Sequence, residues 1–393
     1  MTQRQLASAV QTRDDGLLLT MSQISLLDRI MQLKDPRQSA KCTHNLGEVV
    51  FMTTCALLCG ADDWNAIHLF ASEREEWFRK FLKLPGGIPS HDTFNRLFSL
   101  LDPAQFRELF IRWVQDVLID TPLSGVVAID GKTVRGSRSR QNGAIHMVNA
   151  WASDAGISLG QYKVDDKTNE ITAIPELLEL LALKGCLVTL DAMGCQKRIA
   201  SKIIKQNADY LLAVKSNQKR LHSEISAYFS QYWEAHPDDA PSACYSAQDN
   251  QAHGRQEHRR CWVMREMKDL PIASTWQAKT IAAVQLDRQT QQKGTSLVRY
   301  FISSKKLNAE EVLQATRQHW HVENRLHWVL DVAFSEDQSR ARQGYAAENL
   351  ATARQLVLNL LKQDTTVKVG IKNKRKACGW SDRYLFHILG LVK

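Results

Sequence analysis

Two short apolar segments of this 393-residue chain each end in an aspartate, and this pattern restricts the fold more than any other feature of the sequence. They are Gly-Val-Val-Ala-Ile-Asp130 and Cys-Leu-Val-Thr-Leu-Asp191, and small or polar residues follow each of them. Short apolar runs of this kind predict buried strands. A carboxylate at the end of a buried strand is unfavourable unless a positive charge meets it. In open α/β sheets the carboxyl ends of the strands are also where ligands bind. The two aspartates therefore predict a shared cation.

The length and composition predict a globular protein of two or three domains. Hydrophobic residues make up 44% of the chain, which is ordinary for soluble proteins. The net charge of +9 and the pI near 9.1 favour a polyanionic partner, although many soluble proteins are mildly basic. The eight cysteines form no C-x-x-C pair, and several lie in apolar runs, as reduced cysteines do. Because the chain also has no apolar run long enough to span a bilayer and no signal-peptide pattern, we expect a cytoplasmic protein without a membrane partner.

The first part of the chain has a helical pattern. We expect residues 1–20 to be flexible and residues 21–120 to form a helical domain that is a candidate for DNA binding. Ser90 or Asp92 can cap one helix, and Pro103 begins the next, which predicts a helix pair joined by a short turn. Such a pair is compatible with a helix-turn-helix, and plain packing in a helical core is the more common alternative.

From about Gly125 the pattern changes to strands and helices in the order β-β-β-α-β-α-β. Three antiparallel strands followed by two right-handed crossovers predict a mixed sheet covered by helices. Strand-like pieces between 257 and 303 predict a β-rich insertion, and we expect the basic run at 368–376 to be a solvated end. The strands are predicted at 125–130, 145–153, 157–164, 186–191 and 209–215, the helices at 175–183, 195–206, 217–233, about 309–330 and 345–362, and a polar, turn-rich segment at 234–254.

A metal site follows if the two aspartate strands are neighbours. Asp130 and Asp191 would then lie side by side, and oxygen ligands in an open site select Mg²⁺ or Mn²⁺ over zinc. A third acid would complete a two-metal site for in-line phosphoryl transfer, and Glu323 is the best candidate. On a helix, His319, Glu323 and His327 share one face.

The surroundings of Glu323 suit a nucleic-acid site. Trp320 and Leu326 are available to face the core, whereas Arg317 and Arg325 flank the acid and can reach phosphate oxygens. Each feature has an alternative when taken alone. Either aspartate could belong to a turn or a helix cap, Glu323 could pair with an arginine on a solvated face, and the histidines could be core or surface residues, since no H-E-x-x-H zinc motif is present.

The same residues resemble a known family. The chain is similar to the insertion-sequence transposases of the H-repeat-associated type, within the DDE group that has a ribonuclease H-like catalytic core. The matching stretches are Ala-Ile-Asp130-Gly-Lys-Thr-Val-Arg-Gly-Ser, Thr-Leu-Asp191-Ala-Met-Gly-Cys-Gln, Tyr-Leu-Leu-Ala-Val-Lys215-Ser-Asn-Gln, His253-Gly-Arg and His319-Trp-His-Val-Glu323-Asn-Arg-Leu-His-Trp-Val-Leu-Asp331.

The resemblance implies an α/β fold. A ribonuclease H-like mixed sheet flanked by helices would be joined to an N-terminal all-helical domain and would carry a β-rich insertion. The catalytic domain would span 121–335 with the insertion at about 220–303, and residues 336–393 would form C-terminal helices and a basic tail.

The resemblance also implies a catalytic, metal-binding triad of Asp130, Asp191 and Glu323, with Mg²⁺ or Mn²⁺ as the cofactor. Related enzymes usually have an arginine four residues before the glutamate and a lysine seven after it, where this chain has His319 and Leu330. The residues expected to contact DNA are Lys132, Arg135, Lys215, Asn217, Arg317, His319 and Arg325.

The implied function is metal-dependent cleavage and strand transfer of an insertion sequence. The partners would be DNA, both the element ends and the target, and further copies of the chain in a homo-oligomer on DNA, with no small-molecule substrate. Two alternatives are a nuclease that cuts without joining and an inactive DNA-binding remnant of a transposase.

Overall fold

The chain forms two compact units. A computed structural model describes residues 25–38, 42–139, 143–165, 168–236, 245–252, 255–266, 270–271, 275–289 and 294–391. We call residues 1–120, 134–144 and 329–393 the helical unit, and residues 121–133 and 145–328 the sheet unit. The predicted flexible segment 1–20 and the predicted His253-Gly254 motif lie outside the described residues, and the predicted domain boundaries stay predictions.

Among the described residues, six helices begin the helical unit. Ser90 caps α5 by accepting a hydrogen bond from the N–H of Thr93, and Asp102 caps α6, whose first residue is Pro103, as the sequence predicts. Helix α2 is buried along its whole length, so the other helices surround it. The helices are α1 Leu26–Met31, α2 Leu46–Leu58, α3 Trp64–Glu73, α4 Glu75–Phe78, α5 His91–Leu100 and α6 Pro103–Val117.

A nine-stranded mixed sheet forms the centre of the sheet unit, in the order β3-β2-β1-β4-β5-β9-β8-β7-β6. Strands β1, β2 and β3 are antiparallel, β4 and β5 run parallel to β1, and β9 to β6 continue the sheet in antiparallel pairs. The ribonuclease H-like class with a β-rich insertion is therefore confirmed. The strands are β1 Val126–Thr133, β2 His146–Ala152, β3 Ile157–Lys163, β4 Leu187–Leu190, β5 Asp209–Val214, β6 Tyr245–Ala252, β7 Arg255–Met264, β8 Thr280–Gln289 and β9 Gly294–Ser303.

Two strands differ from the prediction. The sequence places the end of β1 at Asp130, but the strand continues to Thr133 because β2 pairs with it as far as His146. The polar segment 245–252 was expected to be a loop, yet it forms β6, since its backbone pairs along β7 at the edge of the sheet. An antiparallel edge strand can expose polar side chains, so apolar periodicity does not reveal it.

Helices cover the sheet, and two of them differ from the prediction. Helix α7 begins at Glu170 rather than at Pro175, because the Asn169 side chain caps it, and the proline lies inside the helix. The helix predicted at 309–330 is interrupted by a π-helical stretch at 322–327. The helices of the sheet unit are α7 Glu170–Leu180, α8 Lys197–Lys205, α9 Lys219–Ala235 and α10 Ala309–His319. The next helix, α11 Trp328–Phe334, belongs to the helical unit apart from its first residue.

The C-terminal part returns to the helical unit, and its basic run is not the solvated end that the sequence predicts. Lys374 and Arg375 are buried, because backbone carbonyls accept their hydrogen bonds: Leu361 from Lys374 at 3.0 Å and Leu57 from Arg375 at 2.8 Å. The helices are α12 Ala346–Gln363, α13 Ile371–Trp380 and α14 Asp382–Leu389. In the part of the chain that the structure describes, every helix is too short or too polar to cross a bilayer.

Candidate functional site

Parallel pairing of β1 and β4 places two acids next to each other. Ile129 on β1 pairs with Leu190, the last residue of β4, and Asp130 and Asp191 directly follow these two residues in the chain. Neighbouring strands lie about 4.8 Å apart. Because β4 stops at Leu190 while β1 continues along β2, the two carboxylates lie where the parallel part of the sheet ends.

Asp191 also forms a turn. Its Oδ1 accepts hydrogen bonds from the N–H groups of Met193 at 2.9 Å and Gly194 at 3.2 Å. This is the turn role that the sequence left open as an alternative, and it occupies one carboxylate oxygen. Within the described residues, no group donates a hydrogen bond to Oδ2, so this oxygen is available to a ligand.

Asp130 is partly buried, with other acids nearby. Burial raises the pKa of Asp130 to about 6, the charges of Glu170 and Asp191 add to the rise, and His327 opposes it. The residue directly opposite on β2 is Asn149, which is 1% exposed. A carboxyl group whose pKa is shifted by burial and by specific charged neighbours is a candidate functional residue.

Glu323 reaches the same place from an irregular helix. In the π-helical stretch, the carbonyl of Glu323 accepts a hydrogen bond from the N–H of the residue five positions later. Such turns are rare in proteins, and those that occur are often found at functional sites. Oε2 of Glu323 lies 3.1 Å from Nδ1 of His327, and this Nδ1 lies 3.8 Å from Oδ2 of Asp130. The hydrogen bond with His327 lowers the pKa of Glu323, burial opposes this, and Lys132 lowers the pKa further.

All three acids line one cavity of about 280 Å³, which we call the acidic cavity. Single ligand atoms of Asp130, Glu323 and His327 lie within 4.8 Å of one another, a spacing that can hold a metal ion, and Asp191 lies outside this group. The cavity is also lined by Thr189, Leu190, Ala192, Leu211, Ala213, Lys215, Arg299, Phe301, Thr316, His319, Trp320 and Val322.

His319 occupies the wall of this cavity as a neutral group. Its Nδ1 lies 2.9 Å from Oγ1 of Thr189. Burial lowers the pKa of His319 to about 4, Asp191 opposes this, and Arg299 lowers it further. At neutral pH the imidazole therefore carries no charge. It cannot supply the positive charge of the arginine that related enzymes usually have at this position.

Trp320 does not face the core as the sequence predicts. It is 47% exposed, because α10 ends at His319 and the following backbone changes its pitch, whereas Leu326 is buried as predicted. The guanidinium of Arg299 lies 6.0 Å from the centre of the Trp320 ring. Trp320 and Arg299 together therefore present an aromatic face and a cation to the surface beside the acids.

A second cavity, of about 430 Å³, shares Arg299 and Trp320 with the acidic cavity. Four arginines line it, so we call it the arginine cavity: Arg259, Arg288, Arg299 and Arg317.

Positive charge predominates in the arginine cavity. Glu257 pairs with both Arg259 and Arg288, each at 3.0 Å. Among the described residues, no carboxylate lies within ion-pair distance of Arg299, and Nη1 of Arg317 donates to the neutral Gln248 at 3.0 Å. Burial lowers the pKa of Arg299, and the charges of Arg288 and Arg259 lower it further. An anion would offset this repulsion.

Lys215, Lys132 and Arg325, which the sequence also predicts to contact DNA, differ in their exposure and in whether they line a cavity. Lys215 lines the acidic cavity. Lys132 is buried on β1, near enough to Glu323 to influence it. Arg325 is exposed and is absent from the walls of both cavities.

Two further predicted DNA contacts have partners within the protein, and their roles toward DNA stay predictions. The amide nitrogen of Asn217 donates to the carbonyl of Ala192 at 2.6 Å. Arg135 belongs to the helical unit, where its Nε lies 3.5 Å from a carboxylate oxygen of Asp337.

Two family models match this chain. Residues 27–114 match the model described as "DDE_Tnp_1-associated", and residues 121–360 match the "Transposase DDE domain", which is more than half of the chain. The chain belongs to the DDE transposase family. The resemblance inferred from the sequence motifs is thus confirmed, and the chain is a transposase by family and fold.

Relatives of this DDE transposase match over almost the whole chain. "Putative transposase YncI" of Escherichia coli O157:H7 is 42% identical over 377 residues, which cover 94% of this chain and 95% of the relative. "H repeat-associated putative transposase YhhI" of Escherichia coli K12 is 39% identical over 372 residues, or 93% and 97% of the two chains. Among solved structures, the "Cryo-EM structure of piggyBac transposase synaptic complex with hairpin DNA" aligns with 93% of this chain and 78% of that chain, at 12% identity and a TM-score of 0.42.

Sequence reasoning missed several residues around the site of this transposase. His327 was placed on the face of Glu323 but was treated as an ordinary core or surface histidine. Its position four residues after the glutamate was the available signal. Asn149 and Arg299 gave no signal, because they come from strands whose neighbours only the sheet order reveals.

Proposed function

We propose that this transposase cleaves DNA and transfers its strands by in-line phosphoryl displacement, with Asp130, Asp191 and Glu323 as the metal-binding residues. The observation that carries the proposal is the parallel pairing of β1 and β4, which sets two acids from distant segments side by side in a cavity that a third acid also lines. The membership of the DDE transposase family supports the same roles.

The residues fit a hard divalent cation. Their ligand atoms are carboxylate oxygens, which suit Mg²⁺ and Mn²⁺. The raised pKa of Asp130 reflects burial and the nearby charges of Glu170 and Asp191, so a cation would stabilise its ionised form. Bound metal ions would supply charge stabilisation for the attacking and leaving oxygens of the phosphoryl group.

The arginine cavity suits the DNA strand on either side of the reacting phosphate. Arg299 and Arg317, which have no carboxylate partner among the described residues, can bind phosphate oxygens. The exposed face of Trp320 can stack with an unpaired base. Because Arg299 and Trp320 line both cavities, a strand bound in the arginine cavity would lead directly to the acids. In this proposal Arg299, Arg317 and Lys215 provide the cations that His319 does not.

The substrates would be the two ends of the element and a target DNA. Joining two ends to one target requires both to be held at once, so we propose that several copies of the chain act as a homo-oligomer on DNA. Mass photometry with and without a DNA fragment that carries one flank of the gene tests this. A single copy on DNA under all conditions would contradict it.

The variant Asp191→Asn tests the catalytic proposal. An asparagine Oδ1 can still accept the hydrogen bonds from Met193 and Gly194, so the turn should persist while the negative charge is lost. We expect Mg²⁺-dependent cleavage of a plasmid carrying the gene with its flanking DNA to be abolished, with DNA affinity retained. Asp165→Asn is the matched control, because Asp165 is exposed and outside both cavities.

The same assay separates the alternatives. Unchanged cleavage by Asp191→Asn would contradict the proposed triad. Cleavage by the wild-type protein without joined products from pre-cut ends would favour a nuclease. DNA binding without cleavage at any Mg²⁺ or Mn²⁺ concentration would favour an inactive remnant.

A further inference from the structure

A buried histidine, His327, lies between the acids and strand β2. His327 is 3% exposed and lies in the π-helical stretch. Its Nδ1 is the atom that approaches Glu323 at 3.1 Å and Asp130 at 3.8 Å. Its Nε2 lies 3.3 Å from Nδ2 of Asn149. Each ring nitrogen therefore has a polar neighbour, and their chemistry decides which nitrogen carries the proton.

Asn149 settles that choice through its own backbone contact. The amide atom that faces His327 also lies 3.1 Å from the carbonyl oxygen of Met147. A carbonyl oxygen only accepts hydrogen bonds, so the amide atom next to it must be the NH₂ group and not the amide oxygen. The same NH₂ group then donates to Nε2 of His327. Nε2 must accept, and the proton of the neutral ring lies on Nδ1.

We propose that His327 is a positioning residue, which donates a hydrogen bond from Nδ1 to Glu323 and is held in the required tautomer by Asn149. The inference rests on the proposed role of Glu323 as a metal ligand. The Glu323 side chain is 54% exposed, so the surrounding protein holds it little. A fixed donor at 3.1 Å restricts its rotamers and directs the carboxylate toward Asp130.

The rival interpretation makes His327 a third metal ligand beside Asp130 and Glu323, since the three ligand atoms lie within 4.8 Å of one another. A metal-bound Nδ1 has no proton, so Nε2 would carry it and would point at the NH₂ group of Asn149. Two donors would then face each other in a buried place, which is unfavourable. The hydrogen-bond pattern therefore favours a site with oxygen ligands alone.

The tautomer is measurable without metal or DNA. In metal-free protein with ¹⁵N-labelled histidine, two-dimensional ¹H–¹⁵N spectra distinguish a protonated from a bare ring nitrogen. We expect Nδ1 of His327 to be protonated in the wild-type protein. In Asn149→Asp, a carboxylate oxygen replaces the NH₂ group, so the proton should be drawn to Nε2. A wild-type spectrum with the proton on Nε2 would overturn the proposal.

Metal binding provides the second test, with Mn²⁺ alone as the probe. His327→Asn keeps an amide at the position of Nδ1 and can still donate to Glu323, whereas His327→Gln places its amide at the position of Nε2. We expect His327→Gln to weaken Mn²⁺ binding about 10–100-fold, as the loss of groups that orient metal ligands typically does, and His327→Asn to remain within a few-fold of wild type. Equal losses in both folded variants would contradict a positioning role.

The electron spin echo of bound Mn²⁺ distinguishes positioning from ligation. We expect the wild-type protein to show no coupling to a directly bound imidazole nitrogen, and such a coupling would establish the rival interpretation. A wild-type protein that binds no Mn²⁺ would instead count against the proposed metal site. The NMR result on the tautomer is independent of that failure, so the two proposals fail separately.

Discussion

A Cβ atom added to Gly131 would lie 2.1 Å from Oε1 of Glu170 and 2.5 Å from Nε2 of His146. These two side chains hydrogen-bond to each other at 2.6 Å and pass directly over the glycine that follows Asp130. We expect Gly131→Ala to destabilise the protein by about 1–3 kcal/mol, because the pair or the strand must move. Urea unfolding measures this. Gly143→Ala is the control, because an added Cβ there meets no described atom within 4 Å, and equal effects of the two changes would contradict the prediction.

Arg375 connects separate segments of the helical unit. Its guanidinium donates to the carbonyls of Leu57 and Ala333 and forms an ion pair with Asp62 at 2.5 Å, and its side chain is 4% exposed. We expect Arg375→Met to cost about 3–5 kcal/mol of unfolding free energy, because Asp62 loses its partner.

The control for Arg375 is Arg112→Met, which removes a pair between exposed side chains one helical turn apart. Arg112 pairs with Glu108 at 2.5 Å, and we expect its loss to cost about 0.5 kcal/mol or less. Chemical denaturation at one pH compares the two variants. A small effect of Arg375→Met would mean that water replaces its hydrogen bonds.

His319 should make the stability of the protein depend on pH. Burial lowers the pKa of His319 to about 4 in the folded state, whereas an unfolded histidine titrates near 6.5. The unfolded state therefore binds more protons below pH 6.5, so this contribution to stability is present above that pH and is lost as the pH falls toward 4. We expect His319→Gln to lose less stability than wild type between pH 7.5 and 5. Parallel slopes in urea unfolding over this range would refute the prediction.

Arg299 should contribute to DNA affinity through charge. We expect Arg299→Gln to weaken binding of a single-stranded oligonucleotide whatever its sequence, and to reduce the salt-dependence slope by about 1. Fluorescence anisotropy at several salt concentrations measures both quantities. Arg220→Gln is the control, because its side chain is 82% exposed and lies outside both cavities. An unchanged slope in Arg299→Gln would exclude a phosphate contact.

Trp320 should contribute through stacking instead. We expect Trp320→Ala to cost about 1–3 kcal/mol of binding free energy for single-stranded DNA, with an unchanged salt slope, because the change removes an aromatic face and no charge. The effect should be smaller for a blunt duplex, whose bases are already stacked. An equal loss for both DNAs would indicate that Trp320 contacts the backbone.

The sequence predicts the central sheet well because its strands are apolar, short and bounded by turn residues. Asp130 and Asp191 were expected to be neighbours, since consecutive right-handed crossovers place parallel strands together, and the structure brings them together in this way. Glu323 was chosen as the third acid from its cationic and aromatic neighbours along the chain, and the family resemblance pointed to the same residue; the structure places it on the wall of the same cavity. The catalytic roles of the three acids stay a prediction.

The rest could not be predicted, because it depends on partners distant in the chain. Asn149 matters through its contact with His327, 178 residues away. The burial of Arg375 depends on Asp62, 313 residues earlier. The exposure of Trp320 depends on a π-helical stretch, and helical periodicity does not signal one in advance.

The insertion supplies Arg259, Arg288 and Arg299 to the arginine cavity, and through the pairing of β9 with β5 it also completes the central sheet. Strand β9 covers the edge of β5 and leads through a short connection to α10, at whose end Glu323 follows. A shortened descendant that lost residues 220–303 would therefore leave β5 as an open strand edge, a template for aggregation, and would also lose the anchor that directs its third acid. Gradual loss of this insertion during evolution is thus constrained at both ends, so we expect natural deletions in such chains to remove the outer hairpin of β6 and β7 first.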